Sequence, residues 1–365
     1  MPYVLIDQQP PASEHQVPLR DRFALHDGLI GREQRLLSKD KALVSALTEL
    51  NDAYRREVVA LVGEEVFRAN SERHRQTCRG FATLRDRHAH TPDGERARQD
   101  ERRRLRQAKH EFYHGLGIDI ARVRAIRKES LAQARAVARQ HIDLELEAPA
   151  AGDARPPGPT TNPWTWYTPA YAYQWGSIPS AGGSAGTSWK SAQAWATTGE
   201  INLMSWIELF GASDKDWRKT DAMCEVGVWF QLPAAGVIEA WAWFQDINTE
   251  YSGLLEDESG CSDAYVRQLS RLYLWTTDST ERYVTVKDYE RGESEGQWTD
   301  SLTAPGFIRP VRFFSQKAYA AGQWVYAAFG VRDFNLFQVD DMTCRSRMYS
   351  QYFVKQLALR STGAP

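Results

Sequence analysis

Residues 110–114, His-Glu-Phe-Tyr-His, have the HExxH spacing that is typical of zinc-dependent hydrolases. On a helix, this spacing places His110 and His114 one turn apart on one face, where both imidazoles can ligate Zn²⁺. Glu111 can then act as the general base on a zinc-bound water. The segment therefore makes a zinc metallohydrolase one hypothesis for this chain.

A catalytic zinc site needs a third protein ligand, and the sequence does not supply it nearby. From His110 to Gly117 the segment resembles the metzincin metalloprotease pattern HExxHxxGxxH, but Ile120 stands where that family has its third histidine. In a helical hairpin that turns at 91–94, His74 lies opposite Glu111 and could complete a set of three histidines. We favour a chance match on a structural helix, with no catalytic residue, metal ligand or cofactor assigned.

The front of the chain has the periodicity of long helices. Apolar residues recur at spacings of three and four over 38–147, and Pro92-Asp-Gly94 interrupts them near the middle. This pattern predicts an antiparallel, coiled-coil-like helical hairpin over 38–147 with its turn at 91–94, preceded by an extended arm over 1–37. Two helices of this length bury only a narrow seam, so we also expect a homo-oligomer.

The rear of the chain is compositionally different. All thirteen tryptophans follow residue 163, whereas all eight histidines precede residue 142. A proline- and glycine-rich segment over 148–163 predicts a linker. Short alternating runs separated by turn signals then predict an antiparallel β-sandwich of jelly-roll type over 164–361. The expected fold is an α+β multidomain protein with a helical front and a β-sandwich rear.

Two adjacent strand candidates in the rear half split cleanly by parity. If residues 222–232 and 236–246 form a hairpin, three tryptophans and four polar residues share one sheet face. This predicted ligand-binding set is Trp229, Trp241, Trp243, Glu225, Glu239, Gln231 and Gln245. Flat indole rings beside carboxamides and carboxylates suit a pyranose, whose apolar face stacks on the ring. Packing under another element is the alternative that the same pattern permits.

Charge and hydropathy argue against a nucleic-acid-binding protein, a membrane-spanning protein and a protein with a signal peptide. The net charge of −2 divides into about +4 for residues 1–150 and −6 for the rest, which does not favour a nucleic-acid partner. No apolar run approaches the roughly 18 residues of a membrane span. The first residues do not resemble a signal peptide, so we expect cytoplasmic synthesis, with later release or incorporation into a secreted particle left open.

These observations favour a non-enzymatic structural or adhesive protein. An oligomeric helical stalk would present Trp-rich sandwiches that bind a glycan or a protein partner, as in phage-tail-like, toxin or surface assemblies. The alternatives are the zinc-dependent hydrolase and a membrane-acting, pore-forming toxin that uses the helical hairpin.

Overall fold

The computed structural model combines a long N-terminal helix with two antiparallel sheets that pack face to face. This architecture confirms the α+β class and the sandwich, whereas the jelly-roll topology stays a prediction. The described residues are 16–73, 92–146, 162–184, 186–209, 216–257, 264–277, 281–292, 296–301, 308–315, 318–339 and 342–363.

The described helices are α1 (Leu19–Val62), α2 (64–73), α3 (Pro92–Gly115) and α4 (Ile120–Leu146). The extended arm expected over 1–37 is therefore wrong from residue 19 onward, and residues 1–15 lie outside the described residues. The turn expected at 91–94 is also misplaced, because Pro92, Asp93 and Gly94 form the first turn of α3. A proline suits this position, where its missing N–H would have no helical partner.

The helices pack with α1 antiparallel to α4. Arg127 Nε donates to Tyr54 Oη at 2.9 Å, and the two residues lie on α4 and α1 respectively. Nearer the sheets, Leu43 and Leu47 of α1 share an apolar cluster with Leu131 of α4. Residue numbers thus fall along α1 as they rise along α4. The coiled-coil hairpin and the homo-oligomer stay predictions.

The described strands form two sheets. They are β1 (Thr165–Tyr167), β2 (Tyr173–Gly183), β3 (Thr187–Trp195), β4 (Glu200–Leu209), β5 (Asp216–Gln231), β6 (Val237–Asp257), β7 (Ala264–Thr276), β8 (Glu281–Gly292), β9 (Gly296–Ser301), β10 (Ile308–Phe314), β11 (Trp324–Val339) and β12 (Met342–Thr362). In sheet A, β10 and β9 pair with β6, β6 pairs with β12, β12 pairs with β4 and β1, and β4 pairs with β3. Sheet B has the order β2-β5-β11-β7-β8.

The expected hairpin between β5 and β6 is wrong, because β5 lies in sheet B and β6 in sheet A. The chain crosses between the sheets at residues 232–236. The apolar residues Val226 and Val228 of β5 and Ala240 and Ala242 of β6 belong to one core cluster between the sheets. Their polar-face neighbours therefore point to opposite outer surfaces of the sandwich.

The outer face of sheet B is covered by helix. Leu25 and Leu29 of α1 pack in a cluster with Trp229 and Trp275 of sheet B. Further along, α1 and α4 together cover Phe334 and other apolar residues of the same sheet. The helical front is thus fastened to the sandwich along one face. Within the described part of the chain, none of the helices is long and apolar enough to cross a membrane.

Candidate functional site

Two residues of the predicted set, Glu225 and Trp229, lie under α1. Glu225 is fully buried, and its carboxylate accepts hydrogen bonds from Arg32 at 2.9 Å and from Trp275 at 2.6 Å. Burial raises the pKa of Glu225, and Arg32 opposes that rise. Trp229 is 2% exposed. Both side chains therefore pack the helix onto sheet B and are closed to a ligand.

Trp241 and Trp243 lie on the opposite side of the molecule, on the outer face of sheet A. They meet two further indoles, Trp164 and Trp166, and we call these four residues the tryptophan cluster. The ring centroids of Trp241 and Trp243 are 5.5 Å apart, and those of Trp166 and Trp243 are 5.2 Å apart. All four side chains are half-buried, so their rings keep open surface.

Strand pairing explains why these four rings meet. Trp166 of β1 and Trp241 of β6 are both Cα partners of Ala358 on β12, which runs between them. Residues opposite one another in a sheet share a face, and the small Ala358 leaves room for the indoles above it. Sequence reasoning missed Trp164 and Trp166 as site residues, although Trp164-x-Trp166 repeats the Trp241-x-Trp243 spacing.

Glu239 anchors the edge of the tryptophan cluster. Its carboxylate is 1% exposed and accepts from Arg312 Nε at 2.8 Å, Arg360 Nε at 2.7 Å and Trp241 Nε1 at 3.0 Å. The Arg360 guanidinium also lies 4.3 Å from the Trp164 ring centroid. Two cations around one buried carboxylate hold the indoles in place and leave N–H donors at the edge of the cluster. No sequence pattern indicates this network, because Arg312 and Arg360 lie 73 and 121 residues from Glu239.

The two glutamines of the predicted set are separated in the same way as the tryptophans. Gln231 ends β5, is exposed, and donates from its side-chain amide to the carbonyl oxygen of Gly322 at 3.0 Å. Gln245 is half-buried on β6 beside Phe353 of β12, on the outer face of sheet A. Of the seven predicted residues, sheet A therefore brings together four: Trp241, Trp243, Glu239 and Gln245.

A row of carboxamides crosses sheet A beyond Gln245. Asn248 of β6, Gln351 of β12, Asn202 of β4 and Gln193 of β3 are successive Cα partners and share the outer face. We call these four residues the carboxamide row. The side-chain oxygen of Asn202 is itself buried and has no hydrogen-bond partner among the described residues. The row offers both donors and acceptors at the middle of the face.

The outer face of sheet A continues to a second aromatic region. Trp206 of β4 and Trp189 of β3 are Cα partners, and Trp189 is 49% exposed. An open depression beside Trp206 is lined by Trp206, Ser252, Leu254 and Arg347, among others. The described helices make their principal sheet contacts with β2, β7 and β11 of sheet B. In the described part of the chain, the outer face of sheet A is thus the uncovered one.

The HExxH segment lies at the end of α3, away from these aromatic surfaces. His110, Glu111 and His114 are exposed, and the two imidazole centroids are 6.4 Å apart. Gln107 donates to the Glu111 carboxylate at 2.9 Å. His74 lies outside the described residues. The described residues contain no group of three or more His, Cys, Asp or Glu side chains that could hold a metal ion.

Comparison with known proteins gives no family for this chain. No family model matches it, and no curated protein matches it. A carbohydrate-binding module solved in complex with β-1,4-galactotriose matches 43% of this chain and 86% of its own, at 8% identity and a TM-score of 0.13. The enzymatically active domain of tailspike protein 4 of bacteriophage CBA120 matches 52% of this chain and 19% of its own, at 8% identity and a TM-score of 0.13. Similarity at this level identifies neither a family nor an activity.

Proposed function

We propose that the protein is a carbohydrate-binding protein whose ligand lies against the tryptophan cluster on the outer face of sheet A. One observation carries the proposal. Trp164, Trp166, Trp241 and Trp243 are gathered on the face of the sandwich that none of the described helices covers, and they are only half-buried. Large apolar surface held open to solvent costs free energy that a packed core would recover, so it favours a binding role.

The chemistry around the rings fits a sugar. An indole face covers the C–H face of a pyranose, while polar groups at its edge bond to the hydroxyls. Arg312 supplies polar groups at such an edge. Its guanidinium lies 5.3 Å from the Trp241 ring centroid, and its side chain remains 45% exposed. Glu239 fixes the guanidinium, so little side-chain entropy remains to be lost when a ligand binds.

The helical half has a different part in the proposal. Because α1 and α4 pack on sheet B, copies that associate through the helices would leave sheet A exposed. Repeated binding faces in one homo-oligomer would raise avidity without strong single-site affinity. This arrangement supports the structural or adhesive role and needs no catalytic residue.

The test is a glycan array probed with the full chain, followed by calorimetry on each positive oligosaccharide. Trp243→Ala is the first variant, because Trp241 also donates to Glu239 and its loss would disturb that network. We expect an affinity loss of roughly tenfold or more, as for a central aromatic contact. Phe23→Ala is the matched control, since Phe23 is 64% exposed on α1.

Thermal melting of both variants separates folding from binding. The proposal fails if no glycan binds, or if a folded Trp243→Ala protein binds its glycan as tightly as Phe23→Ala does. Capture of a protein partner that depends on Trp243, with an empty glycan array, would replace the carbohydrate by a protein ligand.

A further inference from the structure

The outer face of sheet A carries a second aromatic station apart from the tryptophan cluster. Trp189, Trp206 and Arg347 are joined by direct Cα pairing across β3, β4 and β12. Trp189 and Arg347 are exposed and Trp206 is half-buried, and Trp206 and Arg347 line the open depression. We call these three residues the distal station. It repeats the chemistry of the cluster, which is a flat ring beside a guanidinium.

The two stations lie far apart along the same strand. Ala358 lies beneath the tryptophan cluster and Arg347 belongs to the distal station, and both are on β12. Their separation of eleven residues corresponds to roughly 36 Å at the rise of an antiparallel strand. One pyranose ring is far shorter than this distance, so a single sugar cannot contact both stations.

The surface between the stations carries a band of polar groups. The carboxamide row crosses the strands there, and Tyr349 donates from its hydroxyl to Gln351 Oε1 at 3.2 Å. Gln351 and Asn202 are half-buried and Gln193 is exposed. Carboxamides bond to hydroxyls both as donors and as acceptors, which suits the successive hydroxyls of a sugar chain.

We infer that the ligand is an extended oligosaccharide that lies along the strands of sheet A, from the tryptophan cluster across the carboxamide row to the distal station. The inference rests on the proposed function and narrows its ligand class from any sugar to a long, linear chain. Each station holds one part of the same ligand, so occupation of one raises the effective concentration of sugar at the other.

The experiment measures affinity against chain length. Homologous series of β-1,4-linked gluco-, galacto- and xylo-oligosaccharides, from disaccharide to octasaccharide, are titrated calorimetrically into the full chain, together with the series of any array-positive glycan. We expect the longest chains to bind at least roughly tenfold more tightly than the shortest. Trp189→Ala should remove most of that gain, because Trp189 lies only in the distal station.

The variants separate this inference from the proposed function. Trp243→Ala should weaken the binding of every length, whereas Phe23→Ala should weaken none. Arg347→Ala gives a second distal variant whose exposed side chain can be removed without opening the core. The inference would be overturned if short and long oligosaccharides bound with equal affinity. It would also be overturned if affinity rose with oligosaccharide length as much in both distal variants as in the wild type. Either result would leave the proposed function standing. No binding in any series, with an empty array, would remove both.

Discussion

Arg32 of α1 donates from Nη2 to Oε2 of Glu225 on β5 at 2.9 Å, and the two side chains are 5% and 0% exposed. Tyr273 donates to the same carboxylate oxygen at 2.8 Å. The guanidinium also lies 4.2 Å from the ring centroid of Trp275 and 4.6 Å from that of Trp175. A buried guanidinium held by a carboxylate and by aromatic rings fixes the position of α1 on sheet B.

Replacing Arg32 with Met should destabilise the protein strongly. The substitution leaves the Glu225 carboxylate buried without its cation, which costs about 3–5 kcal/mol of unfolding free energy. Urea denaturation measures the change. Arg20→Met is the control, because the Arg20 side chain is 89% exposed and its ion pair with Asp21 lies at the surface. Equal stability of the two variants would show that α1 does not depend on this ion pair.

Gly330 of β11 should not tolerate a methyl group. Its Cα partner is Tyr273 of β7, and a Cβ on Gly330 would collide with that phenol ring. The ring is held by its bond to Glu225, so Gly330→Ala should cost about 1–3 kcal/mol through overpacking. In Gly182→Ala, a Cβ meets nothing within 4 Å, which makes it the matched control on β2. Urea midpoints that fall by the same amount in both would contradict the steric explanation.

The alternation of residue types predicts much of the sandwich but not its strand partners. Along β5 and β6, the apolar parity correctly identifies the core side, including Val226, Val228, Ala240 and Ala242. The same parity is compatible with a hairpin or with a crossing between two sheets, because both bury one face of each strand. Long-range pairing decides between them, so parity alone predicts one face for Trp229 and Trp241 although they lie on opposite faces of the sandwich.

The sequence predicts neither the start of α1 nor the full tryptophan cluster, for different reasons. Residues 19–37 follow several prolines, and the buried Arg32 interrupts the apolar pattern that Leu25 and Leu29 begin. A charged residue in a helix predicts a solvent-exposed position unless its ion-pair partner is known. The partner of Arg32 is Glu225, which is distant in sequence, so the sequence does not reveal the pair. The repeated W-x-W spacing at Trp164 was visible in the sequence, but only the pairing of β1 with β12 gives it meaning.

Removing the charge of Glu239 should loosen the tryptophan cluster. Glu239→Gln keeps an acceptor for Trp241 but unpairs Arg312 and Arg360, whose partial exposure limits the cost to about 1–3 kcal/mol. Urea denaturation gives the stability change, and near-ultraviolet circular dichroism gives the order of the indoles. Glu250→Gln makes the same chemical change elsewhere on β6, on the same face. A spectrum altered equally by both variants would contradict a specific role for Glu239.

Asp333 should make the protein less stable as the pH rises from about 4 to 7. Burial between the sheets raises the pKa of Asp333 to about 7, and Asp221 adds to the rise, while hydrogen bonds from Ser270 and Ser350 oppose it. A raised pKa means that the folded state holds the proton more tightly than the unfolded chain. The contribution to stability is therefore complete below about pH 4 and is lost as the pH rises through 7.

The variant Asp333→Asn cannot ionise, so it should escape that loss, which amounts to about 4 kcal/mol for a shift of this size. Urea denaturation at pH 4 and at pH 8 gives the difference between variant and wild type at each pH. We expect this difference to move in favour of the variant at pH 8, whatever the cost of the substitution itself. Asp52→Asn, on the exposed surface of α1, controls for the change in net charge. Parallel pH curves for wild type and Asp333→Asn would mean that Asp333 keeps an ordinary pKa in the folded protein.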